Sequence, residues 1–240
     1  MTAPPASVPE ESSGKFEDMI DIWYAPSQVF RRREKGGWGL AMITIAVLMT
    51  VLGIASQRAM GPIVQTMIAH SLQGTKDLTP EQREAAVNMG SKFQMVFAYG
   101  AILLVPITMF VVGLIVWLVG KFFDAKEELG AAVMIAVFAY FPRLLGALVG
   151  LLLATFGDTT QMKGIGDVTL SAAHFLDPNA VSSGIYTLAT RLDLFVIWET
   201  VLIGIGLSVV GRISREKAII ASILIFIVGS LFPLLGALRG

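Results

Sequence analysis

Residues 129–157 read LGAAVMIAVFAYFPRLLGALVGLLLATFG, an apolar run with one charged side chain, Arg143, near its middle. A helix needs about 20 apolar residues to cross the hydrocarbon core, and this run is longer than that. A lone charge at the bilayer centre costs at least about 3 kcal/mol on insertion scales, so Arg143 argues against the crossing while everything around it argues for one. The decision fixes the number of crossings and the side on which every later segment lies.

Working outward, windows bounded by charges give further runs at 36–57, 93–120, 191–211 and 218–238. The run at 191–211 carries Asp193 and Glu199. None of the runs alternates polar with apolar residues as barrel strands do, and within lipid only helices or closed barrels satisfy every backbone group. The sequence therefore predicts an all-α polytopic membrane protein, a bundle of five transmembrane helices with short amphipathic helices outside the bilayer. A composition of 55% hydrophobic and 15% charged residues lies far from the soluble average and agrees with this.

The basic residues near the span ends supply the orientation. Arg31, Arg32, Arg33 and Lys35 precede the first run, Lys121 and Lys126 separate the second and third, and Arg212, Arg215 and Lys217 separate the fourth and fifth. With five spans these segments share one face, the cytoplasmic one, which puts the amino terminus inside and the carboxy terminus outside. Removing 129–157 from the count would scatter them to both sides.

Residues 1–14, rich in Pro and Ser, are expected to form a disordered tail, residues 15–35 a cytoplasmic interfacial segment, and residues 36–240 the membrane domain. Phe16, Met19, Ile20, Trp23, Val29 and Phe30 can form apolar faces on two short helical pieces resting among headgroups. Arg31, Arg32, Arg33 and Lys35 are then the candidate contacts to anionic lipid headgroups. In the first long connection, Gly61-Pro62 opens a candidate helix over 63–72, and Thr79-Pro80-Glu81-Gln82 has the capping hydroxyl, first-turn proline and early acid of a helix start. The second long connection, 158–190, reads as an irregular loop.

The chemistry-bearing residues are few. The 18 basic and 18 acidic side chains cancel, so charge gives no argument for nucleic acid as a partner. With no cysteine, thiolate metal sites and cysteine nucleophiles are excluded. His70 and His174 stand apart in different connections and form no metal-binding helical pair. Glu127-Glu128 reads as a solvated charge run. No nucleophile elbow or phosphate loop is present, so no catalytic residue, cofactor or metal is expected.

The informative residues are the ionisable groups inside the predicted spans. Arg143 needs a partner, and at a rise of about 1.5 Å per residue Glu199 falls at a similar depth on the oppositely directed fourth helix. The expected arrangement is an Arg143–Glu199 ion pair, with Asp193 as the second choice of partner. It reads either as a packing pair that fixes helix register or as a relay or substrate site. Pro106, Pro142 and Pro233 lie within the second, third and fifth runs as candidate helix kinks. Phe141-Pro142-Arg143-Leu144-Leu145-Gly146-Ala147-Leu148 echoes Phe232-Pro233-Leu234-Leu235-Gly236-Ala237-Leu238, which suggests that helices two and three repeat as four and five.

Three stretches carry a family resemblance: Ala25-Pro26-Ser27-Gln28-Val29-Phe30-Arg31, Ala139-Tyr140-Phe141-Pro142-Arg143-Leu144-Leu145, and Leu192-Asp193-Leu194-Phe195-Val196-Ile197-Trp198 leading to Leu202-Ile203-Gly204-Ile205-Gly206-Leu207. With them the chain resembles the Yip domain family, polytopic membrane proteins of the Ypt/Rab-interacting type, and more closely its prokaryotic branch. The resemblance implies a five-helix domain with a cytoplasmic amino terminus, here in a bacterial inner membrane. Its eukaryotic members act in vesicle traffic and bind prenylated GTPases. This chain lacks their D-L-Y-G-P-type segment, which puts a Rab-type GTPase partner in doubt.

The expected function is non-catalytic: a scaffold or partner-binding role in membrane organisation or trafficking-like processes, with the bilayer, other membrane proteins or the chain itself as partners. The alternative is a transporter or accessory permease subunit that uses the Arg143/Glu199 site.

Overall fold

The computed structural model describes residues 14, 16–71, 79–158 and 162–237, and among these every regular element is helical. The expected tail lies outside the described residues except for Gly14, as do the side chain of His70 and residues Leu238 and Arg239 at the end of the last predicted span. The helices are α1 (Glu17–Asp21), α2 (Pro26–Arg33), α3 (Gly39–Ser71), α4 (Pro80–Phe122), α5 (Leu129–Ala139), α6 (Phe141–Phe156), α7 (Ser183–Arg191), α8 (Leu194–Val209) and α9 (Arg215–Ala237).

Among the described residues, four stretches are long and apolar enough to cross a membrane: Gly39–Gly61, Pro80–Phe122, Leu129–Phe156 and Arg215–Ala237. The fourth predicted span, 191–211, is shorter than expected, because α8 covers only 16 residues. At about 1.5 Å per residue that is about 24 Å, against about 30 Å of hydrocarbon. Its late start has a local cause. The Asp193 carboxylate accepts the backbone N–H groups of Phe195 and Val196 at 2.9 and 3.3 Å, capping α8 at its amino end and parting it from α7.

α5 occupies the centre. Ala132 through Ala139 are all buried, as befits a helix apolar on every side. It is gripped from two sides through glycines. A Cβ on Gly113 of α4 would stand 2.7 Å from the Val133 backbone, and one on Gly206 of α8 would stand 2.6 Å from the Ile135 side chain. Lipid tails are as apolar as leucine, so such close approach is what helix association in a membrane depends on.

The third predicted span is interrupted. The chain turns at Tyr140, and Pro142 lies in the first turn of α6. Proline brings no N–H to bond the carbonyl four residues earlier and disfavours helical backbone in the residue before it, so the ladder stops there. Pro106 and Pro233, by contrast, lie inside unbroken helices. This corrects the suggested repeat: the echoing sequences around Pro142 and Pro233 adopt different helix geometries, one broken at the bundle centre and one continuous at its edge.

Two further expectations are revised, and the helix start at Thr79 is met. Gly61-Pro62 opens no new helix, since α3 runs through it to Ser71. α4 begins with a capping box in which Thr79 and Gln82 each accept the other's backbone N–H, and it continues without interruption to Phe122. The apolar residues of the amino-terminal pieces are divided, since Phe16 and Ile20 stay exposed while others are taken into the bundle. Ile22, Val29 and Phe30 are fully buried in the same core as α5 and α8, and Trp23 meets Trp198 with ring centroids 6.0 Å apart. A protein groove offers these side chains the same desolvation as lipid, with close packing in addition.

The two short turns meet at one end of the bundle. The Lys126 backbone N–H donates to the Gly211 carbonyl at 2.9 Å, Lys217 pairs with Asp124 at 3.0 Å, and Arg212 pairs with Glu34 at 3.0 Å. At the opposite end, the connection after α6 is a folded cap. Asp167 accepts the backbone N–H groups of Lys163 and Gly164, the Tyr186 hydroxyl accepts from Gly166 at 2.9 Å, and Ser171 bridges to Asp193.

Candidate functional site

Arg143 projects from the first turn of α6, directly after the break at Tyr140, and Glu199 lies in the second turn of α8. The Arg143 Nε donates to Glu199 Oε2 at 2.5 Å, and the guanidinium carbon lies 5.5 Å from the centre of the Tyr140 ring. Glu199 is buried, whereas the Arg143 side chain keeps 30% of its surface. The pair joins α6 to α8 with a charge-assisted bond in a medium that screens it poorly. Asp193 is given over to capping α8. Arg191, at the end of α7, donates from Nε to the Ser230 hydroxyl at 3.1 Å and stacks over Phe226, fastening α7 to α9.

A second polar cluster folds the amino-terminal segment. Asp18, buried in α1, accepts from Arg33 and from Arg32, the latter at 2.6 Å, while Asp21 accepts from Arg32 and the Tyr24 hydroxyl. The Tyr24 hydroxyl and the Arg32 guanidinium hold the Asp21 carboxyl below the usual carboxylate range. Of the candidate headgroup contacts, Arg32 and Arg33 thus face carboxylates, whereas Arg31 and Lys35 are exposed and in no ion pair with a described residue.

Glu127 is the residue most at odds with its sequence reading. It is 3% exposed, and neither carboxylate oxygen has a hydrogen-bond partner among the described residues. The carboxyl is wedged at the ends of α4 and α8, close enough to Gly120 and Gly211 that a Cβ on either would clash with it. Burial pushes its pKa up. Glu128, its neighbour, is exposed as a solvated charge should be. No local pattern separates the two, since the docking of one turn on the other decides which is covered. Among the described residues no group of His, Cys, Asp and Glu side chains is placed to hold a metal ion.

A family model described as the Yip1 domain matches residues 20–236, nearly the whole described chain. The chain belongs to the Yip1 domain family. It is similar to the membrane protein YknW of Bacillus subtilis (strain 168), with 28% identity over 234 residues covering 95% of each chain. No solved structure matches. As a Yip1-domain chain with several apolar helices of spanning length, it is an integral membrane protein, and α3, α4 and α9 carry many exposed Leu, Ile, Val and Phe side chains.

Proposed function

We propose that this Yip1-domain protein is a non-catalytic scaffold or partner-binding protein of the cytoplasmic membrane, in which Arg143 and Glu199 are a structural pair that locks α6 to α8. The observation that carries the reading is where open space lies. A groove of about 850 Å³ runs along α8 and α9, and a pocket of about 480 Å³ sits at the turns, and neither is lined by Arg143 or Glu199. A transport pathway would bring water to those charges.

The reading takes α8 as a fifth crossing and the end bearing the two short turns as cytoplasmic. The Lys126–Gly211 and Lys217–Asp124 bonds support this, because they hold both turns together at the end toward which α8 runs alongside α5 and α6. The density of Lys and Arg at that end favours the cytoplasm.

The chain has no cysteine, so a single introduced one is a unique probe. Leu202 is 2% exposed and lies one turn from Glu199 on the same helix face. Leu202→Cys in intact membranes should resist a membrane-impermeant maleimide and react fully once the protein is denatured. Rapid labelling of the native protein would show water at the pair and favour the transporter reading instead.

A further inference from the structure

The groove between α8 and α9 has an apolar body and a basic mouth. Val201, Ile205, Ile219, Ile223 and Phe226 line its length. Along the α8 and α9 walls, Thr200 donates to the Val196 carbonyl at 2.9 Å and Ser222 to the Ile219 carbonyl at 2.9 Å, so these hydroxyls leave the wall effectively greasy. At the end nearest the turns stand Arg31 of α2 and Arg215, the first residue of α9. Both are exposed, and neither forms an ion pair with a described residue, although Arg32, Arg33, Arg212 and Lys217 around them all do. From Arg215 to Phe226 the helix rises about 16 Å, close to the half-thickness of about 15 Å that one lipid leaflet contributes. Two unneutralised guanidinium groups at the mouth of a leaflet-deep apolar groove match a molecule with a negative head and a hydrocarbon tail.

We propose that this groove binds one anionic phospholipid, with its phosphate between Arg31 and Arg215 and an acyl chain lying along α9 toward Phe226. The site is distinct from a general attraction of basic residues to the membrane surface, because α2 must be docked on the bundle for Arg31 to reach the mouth. The buried Val29 and Phe30, and the pairing of Arg32 and Arg33 with Asp18, hold it there. It rests on the reading of this protein as a binding scaffold, yet the test below does not depend on which side of the membrane the turns face.

The full chain, in a mild non-ionic detergent, is incubated with phosphatidylglycerol or phosphatidylcholine of the same acyl chains, and retained lipid is counted by native mass spectrometry. Phosphatidylglycerol should be retained at one per chain and in clear preference to phosphatidylcholine. Arg31→Ala with Arg215→Ala should lower its retention about 30-fold, the product of two basic contacts near a lipid surface. Ile219→Trp with Ile223→Trp, at exposed positions that tolerate bulk, should fill the groove and expel both lipids while circular dichroism stays unchanged. Lys126→Ala, outside the groove, should change nothing. Equal retention of the two lipids, no loss in the arginine variant, or retention in the tryptophan variant would each overturn the proposal. An equal loss from the lysine variant would also overturn it, leaving only diffuse surface attraction. A dimer dissolved by the tryptophan substitutions would make the occupant a second copy of the chain, which overturns it as well.

Discussion

Removing both members of the Arg143–Glu199 pair should cost well below the sum of removing each alone. Glu199→Gln deletes a charge-assisted bond worth about 1.5–3 kcal/mol and strands a guanidinium whose near neighbour is then the Tyr140 ring. Breaking a buried pair costs about 3–5 kcal/mol. Because the Arg143 side chain keeps 30% of its surface and can reorient, the lower end applies. We expect about 3 kcal/mol for Glu199→Gln, more than a hundredfold in the unfolding equilibrium. Arg143→Met leaves a carboxylate with only 8% of its side chain exposed, and about 4 kcal/mol is expected. The double variant holds no stranded charge and should be less destabilised than the sum of the singles by at least about 2 kcal/mol. The assay is unfolding by sodium dodecyl sulfate in mixed micelles, followed by circular dichroism and extrapolated linearly. Single effects that add to within about 0.5 kcal/mol would refute the claim that the two charges act as one unit.

Glu127 gives a pH dependence of the sign opposite to that of a paired carboxylate. With its folded pKa raised above the ordinary 4.5, the folded state holds the proton more tightly, so its contribution is most favourable below the unfolded value and is lost as pH rises through the folded one. Glu127→Met should remove that slope and stabilise the protein at neutral pH by about 1–3 kcal/mol in detergent unfolding curves, and a neutral-pH loss would contradict it. The two glycine contacts on α5 should differ in how they can be relieved. Gly113→Ala presses on the Val133 backbone and Gly206→Ala on the Ile135 side chain, each costing about 1–3 kcal/mol, but Ile135→Ala, which removes the two Cγ atoms in the way, should offset the cost of the second alone, as thermal unfolding will show.

How much of this could be read from the chain depended on the range of the interaction involved. Hydropathy between charges locates α4, α5 with α6, and α9, because a membrane span is a property of its own residues. The rise per residue puts Arg143 and Glu199 at one level, yet which faces they occupy emerges only when Gly206 docks on Ile135 and sets the rotation of α8. Amphipathicity in residues 15–35 is real, but the same pattern suits a headgroup layer and a protein groove, and only tertiary contacts choose the groove for Val29 and Phe30. The proline rule misleads at Gly61-Pro62 and succeeds at Pro142, a difference of surroundings that no local rule contains. Glu127 was hidden for the same reason, since a burial made by two turns meeting leaves no mark in either one.

α4 holds one further consequence. Its 43 residues extend about 65 Å, roughly twice the hydrocarbon thickness, so the helix reaches well outside the bilayer while its inner part is clamped to α5 at Gly113. It is therefore a lever whose fulcrum lies inside the membrane. A few degrees of tilt at that clamp become a displacement of several ångströms near Arg83, and a force applied at the outer arm returns, scaled up, as strain on the helix that carries the bundle's centre.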